Sequence, residues 1–212
     1  MATNSTDTPI EELPQDILGE IISRVARFSR TTVRNVMAVA PKLAKGAQND
    51  KVYKNMNLKP LAVSPLQAVN KYHQLMERCL KSGNEESHYI KGIQEYFHQN
   101  NTTTGLDVLK ASAQGTYENG IYLYGITMLC RGNFDEGKTY LDKLGWRKNK
   151  SKADQCWRNN KRALHGIRVL RKRRYFRSLR ANKPVGCDKN KLDTQCNNCY
   201  YYKQMVKFVF II

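Results

Sequence analysis

Apolar residues near the N-terminus recur at steps of three and four, a period that predicts a helix with one apolar face. This face holds Ile17, Leu18, Ile21, Ile22 and Val25. Pro14 suits the first turn of the helix, where a missing N–H costs nothing and the fixed φ is already helical. A second helix is expected from Thr31 or Thr32, as the N-cap, to Ala40. Pro41 then ends it or opens a short third helix.

The N-terminal module, residues 12–58, is small, and three short helices of this size bury little apolar surface alone. Its residues resemble the F-box. The likeness is carried by Leu13, Pro14, Asp16, Ile17, Leu18, Ile21, Ile22 and Val25, followed more loosely by Val36 and residues 39–43 and 52–58. The resemblance implies docking on the Skp adaptor of a cullin-type ubiquitin ligase. The residues implied in that contact are Leu13, Pro14, Ile17, Leu18, Ile21, Ile22 and Val25.

The chain departs from the F-box pattern at residues 39–43. Many F-boxes carry Val-Cys-Lys-x-Trp where this chain reads Val-Ala-Pro-Lys-Leu, so the Cys, the first Lys and the Trp are absent. A degenerate F-box without a ligase role and a plain N-terminal helical hairpin are therefore alternatives.

An internal repeat occupies the middle of the chain. Tyr89, Gly92 and Ile93 recur 33 residues later, and a Gly-x-x-x-Leu motif recurs after 32 residues. The second copy of the first motif is Tyr122, Gly125 and Ile126. The Gly-x-x-x-Leu motif is Gly105 and Leu109 in the first copy, and Gly137 and Leu141 in the second. A period near 33 with helix–loop–helix content is typical of an α-solenoid. A glycine inside a helix costs about 0.5–1 kcal/mol relative to alanine, so two glycines at one register indicate close helix packing.

The region of residues 64–145 resembles Sel-type tetratricopeptide repeats. The likeness is carried by Gly92, Gly125, the segment 110–115 and the repeat spacing. Helices are expected at about 85–98, 104–114, 117–131 and 135–143, with residues 64–82 as a helical cap. The resemblance implies that the repeats bind another protein. An F-box followed by Sel-type repeats resembles a group of plant F-box proteins.

Charge divides the chain into two parts. The net charge is +18, yet residues 1–142 contain 16 Lys and Arg against 15 Asp and Glu. Residues 143–212 contain 20 Lys and Arg against 3 Asp and Glu. This distribution indicates a nearly neutral folded part followed by a basic C-terminal part.

One long basic helix is predicted in residues 150–182, with its apolar side on the repeats. It contains the run Arg171, Lys172, Arg173 and Arg174, which would suit nuclear import or an acidic surface. Tyr175 and Phe176 follow the run, so nucleic-acid binding is a further alternative. No recognised nucleic-acid fold accompanies the charge, so a solvated basic helix face is preferred.

The tail, residues 183–212, carries a Cys-x-x-Cys pair, Cys196 and Cys199, with Cys187 nine residues earlier. Only one such pair exists, so free thiols are preferred over a zinc site that would use Cys187, Cys196 and Cys199. From Tyr200 onwards the tail is rich in aromatic and β-branched residues. That composition predicts a strand, paired as a hairpin with residues around 185–190.

Catalysis and membrane insertion are not expected. The sequence contains no Gly-rich phosphate loop, no His-x-x-x-His metal pair and no other catalytic constellation, so no cofactor is predicted. No apolar run approaches the roughly 18–20 residues of a membrane span. The polar, acidic first residues do not predict a signal peptide, so the expected compartment is nucleus or cytoplasm.

The sequence therefore predicts a mainly α protein in five segments. These are a disordered N-terminus (1–11), a three-helix F-box (12–58), a short repeat solenoid (64–145), a basic helix (150–182) and a Cys-containing strand or hairpin tail (183–212). The resemblance implies a noncatalytic subunit of a ubiquitin ligase that joins the Skp adaptor and cullin to an unknown protein substrate. The alternative is a basic nucleic-acid or chromatin-associated protein whose N-terminal helices are only structural.

Overall fold

Helices and their connecting turns account for the described part of the chain. The structure, a computed structural model, describes residues 10–170, 172–185 and 196–211. Residues 1–9, which fall in the segment expected to be disordered, lie outside the described residues. The predicted mainly α class with a helical repeat is confirmed. None of the described helices combines the length and apolar character that a bilayer crossing requires.

Four helices, rather than the three predicted, make up the N-terminal module. They are α1 (Gln15–Ala26), α2 (Arg30–Val39), α3 (Pro41–Gly46) and α4 (Asp50–Asn55), preceded by a 3₁₀ turn at Ile10–Glu12. Pro14 precedes the first helical residue, and the N-cap of α2 is Ser29, whose hydroxyl accepts the Thr32 N–H at 3.1 Å. Val52 and Tyr53, which the sequence did not assign to an element, form the buried face of α4.

The repeat region begins with three short helices and continues with four longer ones. The short helices are α5 (Lys59–Ala62), α6 (Pro65–Lys71) and α7 (His73–Lys81). The longer ones are α8 (Glu85–Ile93), which ends in a π-helical turn at Gln94–His98, α9 (Thr102–Gln114), α10 (Glu118–Arg131) and α11 (Phe134–Asp142). The helical cap predicted at residues 64–82 is divided at Tyr72 into α6 and α7. Helix α6 packs against α8, whereas α7 turns towards α4 of the N-terminal module.

Glycines set the distance between the helices of each repeat. A Cβ on Gly92 would lie 2.6 Å from Leu109, and one on Gly125 would lie 3.1 Å from Leu141. These are the two copies of the internal repeat, so the same close contact recurs in α8–α9 and α10–α11. Gly105 approaches its neighbour even more closely, since its Cβ would lie 2.5 Å from the backbone nitrogen of Tyr96.

The basic segment forms two helices instead of one. They are α12 (Lys150–Leu164) and α13 (Arg173–Ala181). The chain leaves the helix after Leu164, and Gly166 adopts a left-handed φ of 82°. The break allows α12 and α13 to pack separately against α10, which a single straight helix could not do.

The prediction of a strand at the C-terminus is wrong, because residues Asn197–Ile211 form helix α14. Beyond Cys199 near its start, the buried positions recur at steps of three and four, and they are Tyr201, Gln204, Met205, Phe208 and Val209. Phe208 packs edge-on against Phe97, with ring centroids 6.2 Å apart. Strand propensity depends strongly on context, and packing on the repeats overrides it here. The proposed hairpin partner, residues 186–190, lies outside the described residues.

Helix α10 is the centre of the protein. Every residue from Gly120 to Cys130 is buried, and α8, α9, α11, α12, α13 and α14 all contact this helix. A helix that is covered on every side has no need of a polar face, which matches the apolar character of residues 121–130. The repeat and the C-terminal helices therefore share one core.

We expect Gly105→Ala to reduce the free energy of unfolding by about 1–3 kcal/mol, because the added methyl group would meet backbone atoms of Tyr96. Thr104→Ala, at the exposed neighbouring position of α9, is the matched control and should change stability by less than about 0.5 kcal/mol. Urea denaturation of both variants measures the difference. Equal stability of the two variants would contradict close packing at Gly105.

Candidate docking face and its support

The apolar residues of α1 lie on two different sides of the helix. Leu18 and Ile22 are 0% and 3% exposed, and both lie against Gly46 of α3. Ile17 is 44% exposed, Pro14 is also exposed, and Leu13, Ile21 and Val25 are half-buried. Of the seven residues predicted to bind the adaptor, Leu18 and Ile22 therefore form the core of the module. The adaptor contact predicted for all seven residues stays a prediction.

An exposed apolar face remains at the N-terminal end of α1, and we call it the docking face. The Gln15 side chain donates to the Lys42 carbonyl at 3.3 Å, which brings this end of α1 beside the α2–α3 junction. Val39 at that junction is 73% exposed. We define the docking face by the apolar residues Ile10, Leu13, Pro14, Ile17 and Val39. Large exposed apolar patches often mark protein interaction sites, and these exposed residues are candidates for one.

Helix α4 supports α1 from the other side. Lys51 forms an ion pair with Glu20 at 3.2 Å, and Gly19 lies directly against the Asn49 side chain. The pKa of Glu20 is lowered, first by the hydrogen bond and charge of Lys51 and then by Arg24. These contacts fix the orientation of α1, so the exposed side of the helix has a defined direction.

One buried side chain, Asn84, joins the N-terminal module to the repeats. Its amide group donates to the carbonyls of Tyr53, Lys54 and Met56 at 2.9–3.0 Å. Its side-chain oxygen accepts the Ser87 N–H at 2.9 Å and so caps α8. Asn84 is 3% exposed, and an unpaired polar group at this depth would be costly.

Glu85 and Glu86, which follow Asn84 in the chain, extend this connection between the N-terminal module and the repeats. The Glu85 carboxylate accepts the N–H groups of Thr116 and Tyr117 at 2.9 and 2.8 Å, at the start of α10. The Glu86 carboxylate accepts the N–H of Leu58. We call Asn84, Glu85 and Glu86 the junction triplet, because it links the N-terminal module, the first repeat and the second repeat.

The junction triplet was not predicted from the sequence. An asparagine before two glutamates matches the signal for a helix N-terminus, so the cap at Asn84 was recognisable. The distant acceptors at Tyr53, Lys54 and Met56 were not, because 28 to 31 residues of chain separate them from Asn84.

Burial raises the pKa of Glu86, and the nearby charge of Glu85 adds to this effect. The Leu58 N–H and Lys59 act in the opposite direction. Glu86 thus holds its proton to a higher pH in the folded protein than in the unfolded chain.

The aromatic residues predicted to pack the repeats direct their hydroxyl groups inward. Tyr89 donates to the Asn160 side chain at 3.0 Å, and Tyr122 donates to Gln204 at 2.8 Å. Burial raises the pKa of both phenols. Ile93 and Ile126 are fully buried beside them. These residues connect the repeats to α12 and α14.

The basic run is only partly a surface feature. Lys172 is half-buried, with its ammonium 4.7 Å from the Tyr96 ring centre, and burial lowers its pKa. Arg174 donates to the Arg131 carbonyl at the end of α10, at 2.9 Å. Arg173 is exposed, and Arg171 lies outside the described residues. Lys172 and Arg174 therefore stabilise the packing of α13 on the repeats.

The candidate zinc ligands Cys196 and Cys199 lie together at the start of α14, with sulfur atoms 3.2 Å apart. Cys187, the third candidate, lies outside the described residues. Among the residues that are described, no three His, Cys, Asp or Glu side chains are grouped closely enough to hold a metal ion. Cys79, Cys130 and Cys156 are buried within the core, and burial raises the pKa of each thiol.

Comparison with known proteins relates the chain to two groups. Residues 58–165 match the family of plant tetratricopeptide repeats. An F-box protein of Arabidopsis thaliana is 36% identical over 139 residues, which cover 66% of this chain and 85% of that protein. A putative F-box protein of the same plant is 29% identical over 134 residues, 61% of this chain but only 42% of that protein. No solved structure matches the chain.

We expect Asn84→Asp to destabilise the protein by about 3 kcal/mol or more, because a buried carboxylate would face three carbonyl oxygens without a donor. The capping oxygen is retained, so the effect would report the lost donor. Asn49→Asp is the matched control, since Asn49 caps α4 through its oxygen and is only half-buried. The control should lose less than about 1 kcal/mol in the same denaturation experiment. Equal losses would show that the amide donor of Asn84 is unimportant.

We expect Glu86→Gln to gain stability relative to the wild type as pH rises from about 4.5, the ordinary pKa of a glutamate side chain in an unfolded chain. The folded carboxyl keeps its proton above that pH, so ionisation favours the unfolded state until the raised folded pKa is passed. Glu20→Gln should show the opposite trend at lower pH and lose stability relative to wild type as pH rises towards about 4.5, because the folded pKa of Glu20 is lowered. Denaturation curves at several pH values measure both differences, and a pH-independent difference for Glu86→Gln would contradict its burial.

Proposed function

This chain belongs to the plant F-box proteins that carry tetratricopeptide repeats, and from that membership we propose that it is a substrate-receptor subunit of a Skp–cullin ubiquitin ligase. The docking face would bind the Skp adaptor, and the repeat region would hold a protein substrate. The observation that carries the proposal is the exposed apolar side of α1, which the module's own core does not use.

The division of α1 into two sides suits an adaptor-bound module. Leu18 and Ile22 already fill the internal core, so Ile17 and Pro14 are available to a partner without unfolding the module. Burial of apolar surface contributes about 25 cal/mol per Å², so covering this face would favour association. Residues 39–43 lack the Cys and Trp that many F-boxes carry there. Val39 is an exposed apolar residue of this segment and would make its contact with the adaptor.

The repeat region would act by positioning. The junction triplet connects it directly to the N-terminal module, so a substrate held by the repeats would keep a defined orientation relative to the adaptor. Ubiquitin transfer would then be catalysed by other subunits, and this chain would raise the effective concentration of substrate lysines. No catalytic step is assigned to its own residues.

Two finer assignments follow from the same proposal. We assign the repeats to the Sel type, on the paired glycines Gly92 and Gly125 and the 32–33 spacing. We place the protein in the nucleus or cytoplasm, where ubiquitin ligases of this class operate.

We expect Ile17→Glu to abolish capture of a purified plant Skp adaptor, because the charge would be placed in the apolar contact without disturbing the core. Leu13→Ala combined with Pro14→Ala should weaken capture in the same way. A pull-down with the full chain, read out by adaptor recovered per mole of bait, measures the effect.

Leu170→Glu is the matched control for this experiment. Leu170 is 47% exposed, close to the value for Ile17, and lies between α12 and α13. Circular dichroism should show that all variants stay helical. Capture that is equal for wild type and Ile17→Glu, or a wild type that captures no adaptor, would overturn the proposal.

A further inference from the structure

A groove of about 500 Å³ separates the N-terminal module from the first helices of the repeat region. One wall is α2, the opposite wall is α7 with Tyr72, and Tyr53 and Met56 lie at the base. This volume falls within the range of about 300–1,000 Å³ that is usual for ligand sites. Because the groove lies between the two modules, a ligand there would contact both.

Three arginines line the groove from its two walls. Arg30 and Arg34 come from α2, and Arg78 comes from α7. The Arg30 guanidinium lies 4.4 Å from the Tyr72 ring centre, and Arg78 donates to the Tyr53 hydroxyl at 2.7 Å. Aromatic rings therefore hold two of the guanidinium groups in place, while Arg34 is exposed.

Among the described residues, no carboxylate lies in the groove beside these charges. The described residues that line the groove include no Asp or Glu, and none of the three arginines forms an ion pair within the described part of the chain. Residues 1–142 are nearly neutral as a whole, so three arginines in one groove are a local concentration of positive charge. The pKa of Tyr72 is lowered, first by the hydrogen bond from Arg30 and then by Lys71, which agrees with a positive local field.

The base of the groove is apolar. Val33 and Met56 are buried there, Leu75 is half-buried and Met37 is partly exposed. Methionine side chains are flexible and adapt to apolar ligands of different shape. The groove thus combines an apolar floor with a cationic rim.

We propose that this groove binds an acidic peptide segment in which an apolar side chain is flanked by carboxylates. The apolar side chain would occupy the floor between Met37 and Leu75, and the carboxylates would pair with Arg34 on one rim and Arg78 on the other. Arginine binds carboxylates through two parallel N–H donors, which gives direction as well as affinity. The inference rests on the proposed function, because it makes the groove the recognition site for an acidic segment of the ligase substrate.

An extended peptide fits the geometry better than a compact anion. The arginines come from both walls, on α2 and α7, so carboxylates on the two sides of a peptide could each meet an arginine. Several rim residues are exposed, so the groove is open to solvent along its sides. Charge complementarity therefore favours a ligand that spans the groove.

The test is fluorescence anisotropy with the full chain and a labelled synthetic peptide of glutamates around a central leucine–phenylalanine pair. Two companion peptides replace either the glutamates by glutamine or the apolar pair by serine. We expect the parent peptide to bind and both companions to bind at least about tenfold more weakly. Equal binding of the glutamine peptide would overturn the proposal.

Charge-reversal variants locate the binding. Arg34→Glu should reduce the affinity for the parent peptide by about tenfold or more, because the contact with a peptide carboxylate becomes repulsive. Arg173→Glu makes the same change at an exposed arginine of α13 and should alter affinity by less than about twofold, since distant exposed charges are screened. Equal weakening by the two variants would show non-specific attraction and overturn the assignment.

Adaptor capture separates this inference from the proposed function. The complex with the Skp adaptor should bind the peptide with the affinity of the free chain. Competition between adaptor and peptide would make the groove part of the adaptor contact and overturn its role in substrate recognition. Adaptor capture without peptide binding would overturn the groove alone, whereas peptide binding without adaptor capture would support the groove and overturn the ligase role.

Discussion

The buried amide of Asn84 is the interaction on which the arrangement of the two modules depends. It satisfies three carbonyl groups at residues 53, 54 and 56 and caps α8 with its oxygen. Backbone carbonyls that are buried without a donor are costly, so the end of α4 and the start of α8 cannot separate cheaply. Glu85 and Glu86 extend the connection to α10 and to Leu58. A single polar triplet therefore couples the docking face to the repeats.

The second constraint is the close approach of helices around α10. Gly92, Gly105 and Gly125 allow adjacent helices to approach at distances that a Cβ would prevent. The buried tyrosine hydroxyls then find partners on α12 and α14, such as Asn160 and Gln204. Two repeats alone form a small stack, and the C-terminal helices complete their core. The basic segment is thus part of the folded domain, in contrast to a separate basic tail.

The same packing gives the protein two surfaces with different chemistry. The N-terminal end of α1 presents apolar residues such as Ile17, whereas the groove between α2 and α7 presents arginines above an apolar floor. Because the junction triplet fixes the modules together, the two surfaces have a constant relation. In the proposed role, this relation would hold a bound substrate in a defined orientation to the adaptor.

The sequence by itself determined the helical class, the repeat and the location of the N-terminal module, because helix periodicity and glycine register are local properties. Within the module, it identified the apolar set of α1 but did not separate Leu18 from Ile17, since only the position of α3 decides which side is covered. Tertiary packing alone decided that α14 is a helix rather than a strand, that the basic segment breaks at Gly166, and that Arg30, Arg34 and Arg78 meet in one groove. Such features depend on contacts between residues far apart in the chain, and no local pattern encodes them.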